Sequence, residues 1–347
     1  ASASVGAVTI VAGDAGTGSL ILAASNNMDA SAIADGSAAA GGSDSGTAVG
    51  IAVAINVADM TNEAVVGGGA TVTADGVSAS ALMKDVDGDE KHDFAAKATS
   101  GASEADTGVA GSFALNVSDT TTEAAVKALA SVGAGDGDVT LTAANTSEST
   151  VEAKATVGGA NTGVGVSIGI NVVDNLTEAE IEASATLTGG NDVTLGATGS
   201  HKTETTATSG AEAGDGTGVG GAFAITVADN VTTASFGTGD ELDITGDLGA
   251  TATHHGESTT TADGTALGAD AAIGAAIALA FVDDSAMATT ARDITADGSV
   301  SFAAYGDGSS KAEAKASAEG ADDDDQGDNA TADEQKQKQT DTANSKS

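Results

Sequence analysis

The sequence predicts an all-β chain, a repeat-built β-solenoid, and three observations carry that prediction. Apolar and polar residues alternate with period two along most of the chain. An apolar stretch ending in Asn-Val-x-Asp, or a close variant, recurs with its Asp at Asp59, Asp119, Asp174, Asp229 and Asp283, so the units are about 55 residues long. Gly-Asp, Asn-Asp and Asp-Gly pairs punctuate the alternating runs, as strand-connecting turns require, and proline is absent.

The repeats divide the chain into a partial unit 1–46, five units (47–106, 107–161, 162–216, 217–270 and a degenerate 271–320) and a segment 321–347 that is an acidic, polar tail or an inter-subunit connector. The third unit shows the parts in order. Val164, Val166, Ile168, Ile170 and Val172 alternate with Gly163, Gly165, Ser167, Gly169 and Asn171. A turn is expected at Asp174-Asn175. Ala179, Ile181, Ala185 and Leu187 follow, interleaved with Glu178, Glu180 and Glu182. The Asn191-Asp192 turn, the run Val193, Leu195 and Ala197, and a polar stretch close the unit. The expectation is that Val166, Ile168, Ile170, Ile181 and Leu187 point inward. The small face of the anchor strand then allows another sheet or chain to approach closely. At this length a unit is too short for an immunoglobulin-type sandwich of about 100 residues. A stacked coil satisfies its backbone groups against the coils on either side. Whether one unit makes one wide coil or several narrow ones stays open.

Composition excludes several functions. With 12 Lys+Arg against 51 Asp+Glu, the net charge of −39 opposes binding to nucleic acid or to anionic membranes. Without cysteine there is no disulfide framework and no thiolate metal site. Aromatics at 2% leave little for stacking platforms, and no apolar run is long enough to span a membrane as a helix. The chain opens at Ala1 without an initiator methionine or a signal-like segment, and reads as a processed or excerpted piece.

The run GVGVSIGINVVDNLTEAEIEASATLTGGNDVTLGAT, with its Gly-Val alternation, Asn-Val-x-Asp and Asp-Val-Thr-Leu, resembles repeats in large bacterial leukotoxin-type and filamentous-haemagglutinin-like surface exoproteins. The resemblance covers roughly residues 1–320 and implies β-solenoid surface filaments or adhesins. No toxin or secretion module is recognisable, so toxin activity is not carried over.

Several constellations are candidates for chemistry. Asp85, Asp87, Asp89 and Asp93 fall at alternating positions of a calcium-type loop in the longest unit. Glu90 and Ala96 depart from the pattern, and a solvated acidic turn is the alternative. The repeated Asp59, Asp119, Asp174, Asp229 and Asp283 would form a carboxylate column if units stack, or else each bonds its own turn. At a strand spacing of about 4.8 Å, neighbours in water repel by about 0.9 kcal/mol, which a cation would relieve. Asn56, Asn116 and Asn171 align as an amide ladder that stops at Thr226 and Ala280. The acidic run 322–329 is either a second cation site or a solvated linker. His201 is expected near His255, with His92 and His254 the remaining imidazoles for a transition-metal site. Sequons at Asn116, Asn145, Asn175, Asn230 and Asn329 offer glycosylation, with Asn175 and Asn230 expected at exposed turns.

No nucleophile elbow occurs and Arg292 is the sole arginine, so an enzyme is not expected. The expected function is an extracellular, non-enzymatic structural protein that polymerises with copies of itself, or with adjacent repeats of a longer chain, through strand stacking. The alternative is an adhesin repeat region binding a cell-surface glycan or protein; a β-helix carbohydrate-active enzyme is a remote third reading. Calcium is the one cofactor expected.

Overall fold

A computed structural model describes residues 1–40 and 46–320, and it is a parallel β-solenoid with no α-helix among them. Each repeat makes one wide coil. Thr47–Val66 pairs in parallel with Thr107–Val126, Asp59 facing Asp119. The same register runs on through 162–181, 217–236 and Ala271–Thr290. These five strands form a front sheet. The chain then crosses a short third side, whose strands include Thr71–Thr73, Ser131–Gly135 and Thr186–Gly189. It returns along a back sheet through Val77–Met83, His92–Ser103, 139–158, 193–213, Leu248–Gly268 and Val300–Gly320. Residues 1–39 supply the third side and back of an incomplete first coil.

Two central coils turn the corner from back sheet to front sheet without a break, as the strands Val139–Ile181 and Val193–Phe236. The expected turn at Asp174-Asn175 is therefore absent, because the backbone groups there continue the ladder on both sides. The turns at Asp75-Gly76, Gly137-Asp138, Asn191-Asp192 and Asp297-Gly298 lie between strands, as expected.

The cross-section is a wedge. At the third side the interior is a true apolar core, with Val66, Val126, Leu141, Ile181, Leu195, Phe236, Ile244 and Leu248 all buried. Midway, polar side chains bridge the sheets: Ser149 Oγ donates to Asn171 Oδ1 at 2.7 Å, and the Thr205 and Thr226 hydroxyls meet at 2.7 Å. Toward the corner the sheets close on glycine and alanine. A Cβ placed on Gly220 would stand 2.1 Å from the Thr265 carbonyl oxygen, and one on Gly50 2.1 Å from that of Gly101. The small face of the anchor strand does admit a close neighbour, and that neighbour is the chain's own back sheet.

This packing corrects the expected orientation of the anchor strand. Ile181 and Leu187 are buried, but Val166, Ile168 and Ile170 lie on the outside, while Gly165, Ser167 and Gly169 face in. The interior near the corner has no room for branched side chains, so the strand turns its large residues to solvent. In the first complete coil Ile51 is 66% exposed and Val57 70%. Every outward position between Val49 and Val57, and its equivalent in the four following coils, is apolar or glycine. The outer face of the back sheet is instead rich in Thr, Ser, Lys and Glu. There Glu148 bridges Lys91 and Lys202 across neighbouring coils.

Candidate functional site: open edges and carboxylate columns

Among the described residues the ends of the stack are open. Apart from its last residues, which pair with Ser2–Val5, Thr47–Val66 has described coil neighbours on one side alone, and so do Ala271–Thr290 and Val300–Gly320 at the far end. Each such edge presents unpaired N–H and C=O groups, a template for a further strand.

Columns of like side chains run between these ends. Asp59, Asp119, Asp174, Asp229 and Asp283 are in register on the outer front face, bordering the apolar strip. Asp174 has its carboxyl held above the usual range, by partial burial first and by the Asp119 and Asp229 charges next. Farther along the strand, Glu123, Glu178, Glu180 and Glu182 gather about Lys127. The ammonium binds Glu123 and, at 2.9 Å, Glu182, while the Ala128 N–H donates to Glu182 at 2.7 Å. Burial works against the Lys127 charge, but these bonds outweigh it and raise its pKa. Glu180 does not contact the lysine in this way. Burial, reinforced by Glu178, Glu182 and Glu123, pushes it up to about 7. Carboxylate oxygens of Glu123, Glu180 and Glu182 lie within 4.8 Å of one another. Sequence reasoning placed Glu178, Glu180 and Glu182 on one strand face but missed the convergence, because Glu123 and Lys127 arrive from the preceding coil.

The Asp85–Asp93 segment is an insertion between Val77–Met83 and His92–Ser103, as the longer unit implied. Its conformation differs from a cation-wrapping loop. Val86 and Asp89 form an antiparallel bridge about Asp87 and Gly88, both at positive φ. Asp85 is spent on its own turn, accepting the Gly88 N–H at 2.7 Å. Asp89 and Asp93 are brought together, and their third partner is Asp29 from the preceding coil rather than Asp85 or Asp87. The Lys91 ammonium lies 2.8 Å from Asp93.

The interior holds two amide ladders. Asn56 donates to Asn116 at 2.7 Å and Asn116 to Asn171 at 3.0 Å, the expected ladder. A second runs from Thr120 to Asn175 at 2.6 Å, Asn175 to Asn230 at 2.6 Å and Asn230 to Asp284 at 2.8 Å. The repeat offset applied to Asn175, Asn230 and Asp284 would have revealed it. Both ladders overturn the glycosylation expectation for the described sequons. Asn116, Asn145, Asn175 and Asn230 are all buried, and at Asn175 and Asn230 the chain runs on as strand where exposed turns were expected. Asn329 and the acidic run 322–329 lie outside the described residues.

The histidines also need correction. His201 packs against His254, ring centres 5.6 Å apart, and its register partner is Gly256 rather than His255. His255 is exposed beside Asp307. His201 Nδ1 lies 2.9 Å from Ser147 Oγ, and the Nε2 atoms of His92 and His201 are buried without a partner. Burial lowers His92 to about 4 and, with the nearby imidazoles, His201 to about 3. Arg292 is a staple: its guanidinium donates to the carbonyls of Gly237, Ala185 and Glu182 at 2.6, 3.0 and 2.9 Å, tying three coils together at the third side.

Comparison with protein-family models, curated proteins and solved structures finds no match to this chain. The fold itself defines the class of protein, a parallel β-solenoid with one coil per repeat.

Proposed function

We propose that this chain is an extracellular, non-enzymatic structural protein that assembles end to end, the last coil of one copy or repeat block pairing with the first coil of the next. The observation that supports this reading most directly is the pair of open edges. A parallel in-register stack has the same strand direction at both ends, so a translated copy can set Leu20–Asn26 and Asp29–Ala39 of its incomplete first coil on Val300–Gly320 and continue the back ladder, leaving one strand place on the front between Ala271–Thr290 and the next copy's Thr47–Val66. The contact is heterologous and does not close, which makes a fibre. Five complete coils advance the axis by about 24 Å.

We also propose that Asp29, Asp89 and Asp93 take a hard divalent cation such as calcium, in competition with Lys91. Electron microscopy and light scattering of the isolated chain test the assembly. Fibres that lengthen with concentration are expected. A chain that forms nothing beyond a dimer at high concentration, with and without calcium, overturns the fibre reading.

A further inference from the structure

We propose that the apolar outer face of the front sheet is an interface with a second copy of this chain, the two solenoids lying side by side and pointing the same way. The proposal is independent of end-to-end stacking and concerns a different surface.

Area is the first argument. Five strands at about 4.8 Å, crossed over the eight steps from Val49 to Val57, cover about 650 Å² per copy. This exceeds the largest apolar patch of an ordinary monomer, about 300–600 Å². Paired, it buries about 1,300 Å², enough for a specific interface. The face carries no charge, although the chain has a net charge of −39.

The pattern across the face selects the partner and its direction. The centre is the column Val53, Phe113, Ile168, Phe223 and Ile277. A two-fold axis along this column, parallel to the solenoid axis, reverses strand direction and keeps coil opposite coil. The column Gly111, Val166, Gly221 then meets the column Leu115, Ile170, Ile225 of the other copy. At Gly111, Gly221 and Ala275 a small residue faces a large one, which is how packed layers interdigitate, while Ile51 and Val166 each meet an isoleucine. A Cβ on Gly111 would meet nothing within 4 Å, so there is room for an incoming leucine.

The margins agree. Thr47, Thr107, Thr162 and Thr217 form a hydroxyl column as far before the centre as the aspartate column lies after it. The same axis sets each aspartate column against the partner's hydroxyls, which can donate to it. An antiparallel pairing would instead set aspartate against aspartate, at a repulsive cost. Side-by-side solenoids of one direction also leave both pairs of open ends free to grow together.

Because the chain has no cysteine, directed cross-linking is a clean test. Val166→Cys and Ile170→Cys are made singly, mixed and oxidised. The expected product is the mixed disulfide, with little from either variant alone. Homodisulfides from each single variant would show antiparallel pairing and overturn the proposal. The companion variant Ile168→Lys should keep its circular dichroism and melting temperature yet sediment as a monomer below the fibre-forming concentration, where the parent is a dimer. A parent that is monomeric across the concentration range, or that binds neutral phosphatidylcholine vesicles instead of itself, also overturns it. Fibres that form without the mixed disulfide sink this proposal and leave end-to-end assembly standing.

Discussion

Gly220 and Gly221 are adjacent, and alanine at the two positions should change stability in opposite directions. Neither glycine has a positive φ, so backbone strain is not involved. At Gly220 the new Cβ would lie 2.1 Å from the Thr265 carbonyl oxygen and 2.8 Å from its carbon. The contact is rigid backbone, so the front and back sheets must separate by about 1 Å locally. A gap of that size forfeits a quarter to a half of each dispersion contact around it. Overpacking of this kind costs about 1–3 kcal/mol. At Gly221 the Cβ would meet Phe223 Cε2 at 3.7 Å and Val166 Cγ2 at 3.9 Å, which is ordinary contact. Loss of unfolded-state freedom contributes about 0.4–1 kcal/mol, and the methyl's contacts a fraction of the 0.8 kcal/mol for a buried methylene, so the gain is about 1 kcal/mol. Urea unfolding followed by far-ultraviolet circular dichroism, at a concentration where the chain is monomeric, should place the two variants on either side of the parent. Gly165→Ala, whose Cβ would stand 2.9 Å from the Gly210 oxygen, should fall between Gly220→Ala and the parent. If Gly220→Ala is silent, or both neighbours destabilise equally, the close sheet approach is not as described.

Acid should destabilise the fold through its buried imidazoles. His92 and His201 titrate near 4 and 3 when folded and near 6.5 when unfolded, so the unfolded chain binds more protons below pH 6.5. Their stabilising effect is complete above that pH and is lost as pH falls toward the folded values. At pH 5 the loss is about 2 kcal/mol per histidine, and replacing both with glutamine should flatten the acid limb of a melting-temperature profile. Glu180 acts in the other direction. Its folded value near 7 lies above its unfolded one, so its charge costs stability as pH rises through 7. Glu180→Gln should therefore raise the melting temperature at pH 8 and leave it unchanged at pH 4. Asp174→Asn should relieve repulsion from Asp119 and Asp229, raising stability by less than about 1 kcal/mol in dilute buffer. In about 1 M sodium chloride, where the screening length is about 3 Å, the share of that gain due to the Asp119 and Asp229 charges should vanish and the share due to burial should remain. If the gain is the same size in salt as in dilute buffer, the column is not electrostatically coupled.

The repeat offset was the most legible feature of the sequence. It correctly aligned Asp59 through Asp283 and Asn56 with Asn116 and Asn171, because a parallel stack converts a constant sequence spacing directly into a column. It erred by one place for His201 and His255, whose neighbourhood follows the register to Gly256 and then the ring contact to His254. The Asp85–Asp93 segment shows a different limit. Ligand spacing describes one loop, whereas the carboxylates that meet Asp89 and Asp93 are set by the coil before, where Asp29 lies too far away in sequence for any spacing rule.

Which face is inside was legible only in part, and the reason is geometric. Period-two alternation separates two faces but does not label them, and the usual labelling sends large apolar residues inward. That holds where the wedge is wide: Ile181, Leu187 and Phe236 are interior beside the third side. Near the corner two backbones already touch, so glycine, serine and alanine are the only side chains that fit between them. Val166, Ile168 and Ile170 are left outside by exclusion rather than by affinity for water. A soluble monomer would gain from threonine or lysine at those outward positions, as its back sheet has at Thr206 and Lys202. Five successive coils instead keep Val, Ile or Phe in the central column and Ile or Leu in the column of Ile55, Leu115, Ile170, Ile225 and Leu279. That repeated choice falls on a face the interior does not need, and under the proposed pairing its burial would come from association rather than from folding of the single chain.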